Sequence, residues 1–369
     1  GRQGWPHRRR GCWAGLVTTS TRRSRRLLPL IALVGAGALL LDVPAAPASA
    51  RDGFDLQAHR GGIGLTTEST REGFAKALEL GVSTLELDTQ VTEDGHVVVT
   101  HDRRIAASKC RDTAPVTPGD PEFPYVGRYV VDLTLAQVQS VDCGFPAAGH
   151  PDQEVVEGAR MIELWEVFEV VREHGADDVV LNIENKVEAG APRETAPRGR
   201  FVRAVAAEVQ RSGMADQVTI QSFDWGALEV MHRVAPELPL VALTNGDFLE
   251  VGQPGHSRWL GGLDVDDFDG DWIAAASTIE GVTAVSPVQG NPQGGGIGDP
   301  GFVPFVTAEM VADAHARGLE VIPWTVNDPA TMAYLIDLGV DGIITDYPDR
   351  LRTVMAERGL DLPTAYPAP

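Results

Sequence analysis

Short apolar and β-branched runs recur along the chain, separated by longer polar segments with helical spacing. Eight runs read as strands: residues 54–58, 84–88, 179–183, 218–221, 240–243, 284–286, 320–324 and 342–345. Between most of them lie apolar positions three and four apart. Phe74, Ala77 and Leu78 precede Gly81; Leu164, Val167, Phe168 and Val171 precede His174-Gly175; Met310, Val311 and Ala314 precede Arg317-Gly318. A glycine just past the last periodic position is a helix stop. Strand and helix in alternation predict an α/β fold with a parallel sheet. Eight such units in roughly 300 residues favour a closed TIM (β/α)8 barrel over an open doubly wound sheet, although strand counting alone leaves both standing.

The alternation breaks once. After Glu86-Leu87-Asp88 the chain passes through Thr92-Glu93-Asp94-Gly95 directly into Val97-Val98-Val99. Asp94-Gly95 is a hairpin turn signal, so the valine run should pair antiparallel with the second strand and return the chain, and His101 with it, toward Asp88. Residues 103–160, rich in Pro, Gly and Asp, read as an insertion ahead of the helix that starts near Ile162. Counted from the end of the second strand, the insertion spans 89–160.

Residues 1–50 read differently from the rest. Arg25 and Arg26 precede an apolar stretch from Leu27 to Leu41, and Ala48-Ser49-Ala50 offers a small-residue cleavage site. This predicts an export signal removed after Ala50, a barrel domain over 51–360 and a tail at 361–369. The alternative, a transmembrane anchor, conflicts with the short run, Pro29 and the Asp42 and Pro44 that end it. Ser24-Arg25-Arg26-Leu27-Leu28 resembles a twin-arginine signal, so secretion is expected, with no stable membrane anchor. The whole chain carries a net charge of −21. Eight arginines fall in the first 50 residues, so the remainder is more acidic still, which disfavours nucleic acid as a partner. An anionic substrate must then be met by a local positive site. Cys12 lies in the leader, leaving Cys110 and Cys143. After export these two suggest one disulfide, the alternative being two buried thiols.

The candidate chemistry is concentrated between His59 and Asp102. Glu86 and Asp88 are two apart on a strand, so both side chains share one face and can reach one hard cation, Ca2+ or Mg2+. Taken alone, two such acids are as readily a solvated edge. Glu184, closing the apolar run 179–183, adds a third carboxylate at a strand's C-terminal end, where barrel active sites are built. Lys186 follows on the same face, either to hold a phosphate oxygen or to pair with Glu184 or Glu188. His59 and Arg60 end the first strand, with glycines at 61, 62 and 64 that would let backbone approach a ligand. One histidine is more often structural than catalytic; His101, delivered by the hairpin, makes an acid and base pair. Farther on, Phe223 and Trp324 are candidates to wall a pocket or to cap the core, and Gln221 and Asn327 to fix substrate hydroxyls. Gly294 to Gly296 suggest a flexible loop over the mouth. The acidic run Asp264 to Asp271 lacks the EF-hand pattern, with Phe268 where an oxygen ligand is needed, and reads as a solvated loop. No dinucleotide fingerprint, Walker loop, zinc-protease helix or nucleophile elbow occurs.

Taken in order, His59-Arg60-Gly61, the Glu68 region, Glu86-Leu87-Asp88, Thr92-Glu93-Asp94-Gly95, His101-Asp102, Glu184-Asn185-Lys186, Trp324-Thr325-Val326-Asn327 and Gly342-Ile343-Ile344-Thr345-Asp346-Tyr347-Pro348 resemble the glycerophosphodiester phosphodiesterase family, in its secreted bacterial form. The resemblance implies a TIM barrel with a small insertion after the second strand. It also implies a divalent metal held by Glu86, Asp88 and Glu184, and His59 and His101 as acid and base. The implied activity is metal-dependent hydrolysis of a small glycerophosphodiester to an alcohol and sn-glycerol 3-phosphate, a reaction of lipid and glycerol metabolism. Two departures stand out. The family usually reads Pro-Glu-Asn-Thr where this chain has Thr67-Glu68-Ser69-Thr70, and it commonly has an apolar residue where Asn185 stands. A barrel hydrolase acting on lysophospholipid or teichoic-acid phosphodiesters would share these motifs, and a non-catalytic ligand-binding barrel is the remaining alternative.

Overall fold

A computed structural model describes residues 53–368 of the chain; the export signal expected over 1–50 lies outside the described residues. Each of the eight predicted runs forms a strand. The barrel is built from β1 (Asp55–Ala58), β2 (Thr84–Val91), β4 (Val180–Asn185), β5 (Val218–Ser222), β6 (Leu240–Thr244), β7 (Val282–Pro287), β10 (Glu320–Val321) and β11 (Gly342–Thr345). These pair parallel in the order β10-β7-β6-β5-β4-β2-β1-β11. β3 (Val97–Val99) pairs antiparallel with β2, setting Thr89 opposite Val99 as the Asp94-Gly95 turn requires. β8 (Gly290–Asn291) and β9 (Val303–Pro304) form a small hairpin above the barrel.

Around the strands run α1 (Arg71–Leu80), α3 (Leu164–Glu173), α4 (Arg198–Ser212), α5 (Trp225–Val234), α6 (Trp272–Ser277), α7 (Ala308–Ala316), α8 (Pro329–Leu338) and α9 (Pro348–Glu357), with the short α2 (Leu135–Gln139) in the insertion. Their boundaries follow local chemistry. Thr70, Asp224, Asp271, Thr307 and Asp328 cap α1, α5, α6, α7 and α8 by accepting backbone N–H groups. Pro329 opens α8, where a missing N–H costs nothing, and Gly339 ends it in the left-handed conformation. The periodic faces read from sequence are buried: Phe74, Ala77 and Leu78 on α1, and Leu164, Val167, Phe168 and Val171 on α3, all pack into the layer between barrel and helices. A fully buried phenylalanine there contributes roughly 1.5–3 kcal/mol.

The predicted strand at 320–324 is the most interrupted. Only Glu320 and Val321 form a regular ladder with β7, because Pro323 has no N–H to donate. The segment nevertheless stays extended, with Ile322 N donating to Val285 O and Trp324 N to Pro287 O. It also closes the barrel: Asp341 N donates to Val321 O, Ile344 N to Pro323 O and Val326 N to Ile344 O.

Inside the barrel one half is apolar, filled by Val241, Ala284, Ile322 and Ile344. The other half is a polar ladder. Thr84 Oγ1 and Gln57 Nε2 donate to Asp55, and Asn182 Nδ2 donates to both Gln57 Oε1 and Gln221 Oε1. This ladder lies below Glu86, and it ends by donating to it. The insertion has its own small core, with Ile105, Tyr125, Val130, Leu133 and Val138 buried together, and is stapled by a Cys110–Cys143 disulfide. Residues of the tail return to the barrel, Tyr366 N donating to Leu78 O. Among the described residues no helix is long and apolar enough to cross a membrane.

Asn185, the residue that departs from the family pattern, follows inward-facing Glu184 and therefore occupies the opposite face of β4. It is fully buried, and neither its Oδ1 nor its Nδ2 has a hydrogen-bond partner. An unsatisfied buried amide costs about 1–3 kcal/mol. Asn185→Leu should therefore stabilise the fold by about that amount, read as a shift in the midpoint of denaturant unfolding with unchanged slope. A loss of stability would show that the amide has a partner, such as a buried water.

Candidate active site

The site is assembled at the C-terminal mouth of the barrel, on its polar half. In register, Asp88 lies beside Glu184, and Glu184 beside Gln221. Glu86 and Asp88, two apart on β2, share the inward face with Glu184. These three are almost wholly buried, and each offers a carboxylate oxygen within 4.8 Å of the others'.

Their electrostatics show what the cluster lacks. Burial raises the Glu86 pKa to about 7, helped by the adjacent Asp88 charge and opposed by His59 and Arg60. Burial likewise lifts Glu184 to about 8, with Lys186 opposing and Asp88 adding to the rise. Asp88 moves the other way: burial disfavours its charge, but Lys186, His101 and Arg60 together hold its pKa well below the usual carboxylate range. Even so, Asp88 Oδ2 has no hydrogen-bond partner. Three buried carboxylates, two of them held back from ionising and one with an orphaned oxygen, match the donor set of a hard divalent cation.

The first strand supplies the next two groups. His59 to Gly61 form a single 310 turn in which Arg60 adopts φ 52°. A non-glycine residue rarely takes this conformation, and it is held by Arg60 N donating to Glu86 Oε2 at 2.9 Å and Ser69 N donating to Arg60 O. The turn directs the Arg60 guanidinium between two carboxylates: Nη1 donates to Glu68 Oε2 at 2.8 Å, and Nε lies 3.4 Å from Asp88 Oδ2 without a hydrogen-bond partner. His59 Nδ1 meets Asp346 Oδ1 at 2.5 Å, leaving its Nε2 4.0 Å from Glu86. Burial and Arg60 oppose protonation of His59, but Glu86 and Asp346 outweigh them and raise its pKa.

His101 arrives as the hairpin requires and has the same kind of support. Thr100 N donates to Asp88 O, and His101 Nδ1 meets Asp102 Oδ1 at 2.8 Å. Burial, Lys186 and Arg60 push its pKa down to about 4. Lys186 is part of the site and no surface lysine: its Nζ is 3.1 Å from Glu184 and 3.6 Å from Asp88.

The structure sharpens several expectations. Gln221 and Asn327, expected to fix substrate hydroxyls, each commit one of their two N–H groups and the carbonyl oxygen to neighbouring residues. Gln221 Nε2 donates to Glu86 Oε1 at 2.8 Å while its Oε1 accepts from Asn182. Asn327 Nδ2 donates to Asp346 Oδ2 at 2.7 Å while its Oδ1 accepts from Asp346 N. Both hold carboxylates in place. Of the glycines after Arg60, Gly61 and Gly62 take positive φ, and Gly64 serves packing, since a Cβ there would lie 2.4 Å from the Tyr347 ring. The Gly294 to Gly296 loop borders the mouth and is tied to its surroundings, Gln289 Nε2 donating to Gln293 O and Gly295 O, and Ile297 N to Thr331. The acids at 264–271 largely cap turns, Asp264 and Asp271 among them.

Other groups complete the site without having been given a role from the sequence. Glu68, inside the altered motif, binds Arg60 on one oxygen and Lys109 on the other. Ser69 beside it sits at φ 58°, a conformation asparagine tolerates better, so the departure falls on the backbone rather than on the carboxylate. Lys109 also lies 2.8 Å from Asp102. His150, from the insertion, meets Asp346 Oδ2 at 3.0 Å. Asp102 and Asp346 stand inside motifs quoted from the sequence, one beside His101 and the other at a strand end. Lys109 and His150 sit in an irregular segment with no periodicity to mark them.

Phe223 and Trp324 meet edge to face at 5.4 Å, and Phe223 packs against Phe248 in the same way. They border a mouth with three connected hollows. The central one, about 260 Å3, is lined by both histidines, Arg60, Lys186 and the three carboxylates. A larger one, about 870 Å3, extends on the His101 side toward Phe248, Trp259 and Tyr129. A third, about 470 Å3, lies on the His59 side beside Asp346 and Asn327. Trp324 and Gln293 border all three.

The chain is similar to known proteins over most of its length. The profile of the Glycerophosphoryl diester phosphodiesterase family matches residues 59–350. A glycerophosphodiester phosphodiesterase of Caldanaerobacter subterraneus subsp. tengcongensis is 27% identical over 302 residues, covering 82% of this chain and 98% of that protein. Another, from Bacillus altitudinis, is 26% identical over 81% of this chain and 97% of its own length. Among solved structures, a glycerophosphoryl diester phosphodiesterase from Silicibacter pomeroyi superposes with a TM-score of 0.68 at 30% identity, over 85% of this chain and 96% of that one. An Oleispira antarctica phosphodiesterase, solved with the product sn-glycerol-3-phosphate, shares the fold with a TM-score of 0.57 at 19% identity, over 82% of this chain and 97% of its own. With the barrel, the buried acidic cluster and this match over most of its length, the chain belongs to the glycerophosphoryl diester phosphodiesterase family and is an enzyme of it.

Proposed function

We propose that the protein hydrolyses glycerophosphodiesters to an alcohol and sn-glycerol 3-phosphate, with a divalent cation at Glu86, Asp88 and Glu184 and with His59 and His101 exchanging protons with the substrate. The observation that carries this reading is that two imidazoles, each backed through Nδ1 by an aspartate, flank one hollow that also holds the acidic cluster and two cations. The product named in the Oleispira structure supports the same chemistry. Oxygen-only donors suit Ca2+ or Mg2+, and such an ion supplies Lewis-acid stabilisation of charge on the phosphoryl oxygens, worth several kcal/mol in order of magnitude.

The remaining steps fall to the chain's own residues. Arg60, whose Nε makes no hydrogen bond, and Lys186 neutralise the phosphodiester anion. His59, with Nδ1 tied to Asp346, presents Nε2 and takes the proton of the glycerol 2-hydroxyl as its oxygen bonds to phosphorus. His101 borders the larger hollow and His59 does not, so the leaving alcohol is placed there and takes its proton from His101 as the ester bond breaks. The cations that depress His101 are those the phosphate neutralises, so substrate binding favours its charged form. Water then opens the cyclic phosphate with the proton transfers reversed. The size of the His101-side hollow favours a second reading, a bulkier substrate such as a lysophospholipid or a teichoic-acid phosphodiester. The Cys110–Cys143 disulfide supports export to an oxidising compartment, in keeping with the signal proposed for 1–50.

Purified protein should release glycerol 3-phosphate from glycerophosphocholine, and a panel of leaving alcohols ranks the two substrate readings. His59→Ala should abolish turnover of every substrate. His101→Ala should lose activity on choline or glycerol esters yet keep most of the first-turnover release of p-nitrophenol from a p-nitrophenyl ester, whose leaving group needs no proton. Equal losses on both substrate types would remove His101 as the acid.

The acidic cluster gives a separate prediction. Glu86 and Glu184 have folded pKa values of about 7 and about 8 against an ordinary value of 4.5. Between the ordinary value and these folded values the folded state keeps protons that the unfolded state has lost, so the stability this brings is lost progressively as pH rises from 4.5 and is gone once pH has passed about 7 and about 8. In chelator, Tm should fall over that interval. Saturating Ca2+ or Mg2+ should remove the fall, adding about 2.7 kcal/mol at a hundredfold excess over Kd. A Tm indifferent to chelator and cation would exclude the ion.

A further inference from the structure

The insertion does more than enlarge the mouth. Its return limb docks beside the His59 turn: Gln153 Nε2 donates to Ile63 O and Thr66 O, Glu154 N donates to Leu65 O, and Thr67 N donates to Glu154 O. This docking carries His150 to Asp346, where Nε2 meets Oδ2 at 3.0 Å and the ring lies 6.0 Å from that of Tyr347. Asp346 thus accepts from three side chains: His59 on Oδ1, and Asn327 and His150 on Oδ2.

Each of these contacts constrains the next. Burial disfavours an ionised Asp346, but the hydrogen bonds from His150 and His59 hold its pKa well below the usual range. It remains a carboxylate, an acceptor only, so His150 must donate from Nε2. The other ring nitrogen, Nδ1, is buried and without a hydrogen-bond partner. That arrangement gives His150 no route to carry a proton to or from the site. What it can do is fix the plane of the Asp346 carboxylate, and through it the rotamer and tautomer of His59.

We propose that His150 is a positioning residue for the phosphodiesterase reaction, acting through Asp346 on His59, so that the insertion completes the active site. The proposal rests on the reading of His59 as a proton acceptor. Its test compares two folded variants, checked by thermal unfolding, on glycerophosphocholine. His150→Phe keeps the ring against Tyr347 and loses the N–H; His150→Gln keeps an N–H at about the reach of Nε2. His150→Phe should lower kcat on the order of 10-fold with KM within about twofold, as loss of an orienting partner does. His150→Gln should stay within about threefold of the wild type. In an Asp346→Asn background, where the carboxylate is gone, His150→Phe should add no further loss. Wild-type kcat in His150→Phe, an equal fall in His150→Gln, or a full additional loss on Asp346→Asn would each overturn the proposal. Failure of the wild-type protein itself to turn over any glycerophosphodiester would instead overturn the functional reading, and the inference with it.

Discussion

Three carboxylates buried within 4.8 Å of one another repel, and the structure around them is organised by that repulsion. Two of the three are held back from ionising at neutral pH, while the third is kept charged by the cations around it. The polar half of the barrel interior follows from the same constraint. Glu86 needs donors from below, and Gln221 supplies one only because Asn182 and Gln57 hold it in turn. An apolar barrel interior of the usual kind would leave that carboxylate without a partner on its inner side.

A second ring of pairs surrounds the first, and much of it comes from the insertion. Asp346 orients His59 and is gripped by His150 and Asn327. Asp102 orients His101 and is gripped by Lys109, which also reaches Glu68 behind Arg60. Lys109 stands next to Cys110, and His150 seven residues beyond Cys143, so the disulfide joins the two limbs that support the two histidines. The insertion therefore braces both histidines from both sides of the mouth.

The fold was legible because a barrel repeats one signal eight times, so an interruption such as Pro323 removes only part of one strand. The hairpin was legible because Asp94-Gly95 carries a backbone preference of its own. Glu86, Asp88 and Glu184 could be placed on one face because strand periodicity is strict. Gln221 and Asn327 show what a sequence leaves open: an amide near a site looks the same whether it faces substrate or a carboxylate, and the neighbouring strand supplies the carboxylate each one holds. His150 and Lys109 were invisible because the insertion has no period, and their positions depend on the docking of an irregular segment. Asn185 was seen as a departure from the family, but its unpaired amide appears only once the face behind β4 is known to be closed.

The central claim is that the acidic cluster exists to take a divalent cation, and calorimetric titration of chelated protein with Ca2+ and Mg2+ at neutral pH tests it most directly. Because Glu86 and Glu184 hold protons in the empty site, cation binding must release them. The account predicts one saturable site whose heat varies with the ionisation enthalpy of the buffer, and which disappears in Asp88→Asn. Absence of saturable binding, or binding whose heat is the same in every buffer, would contradict it.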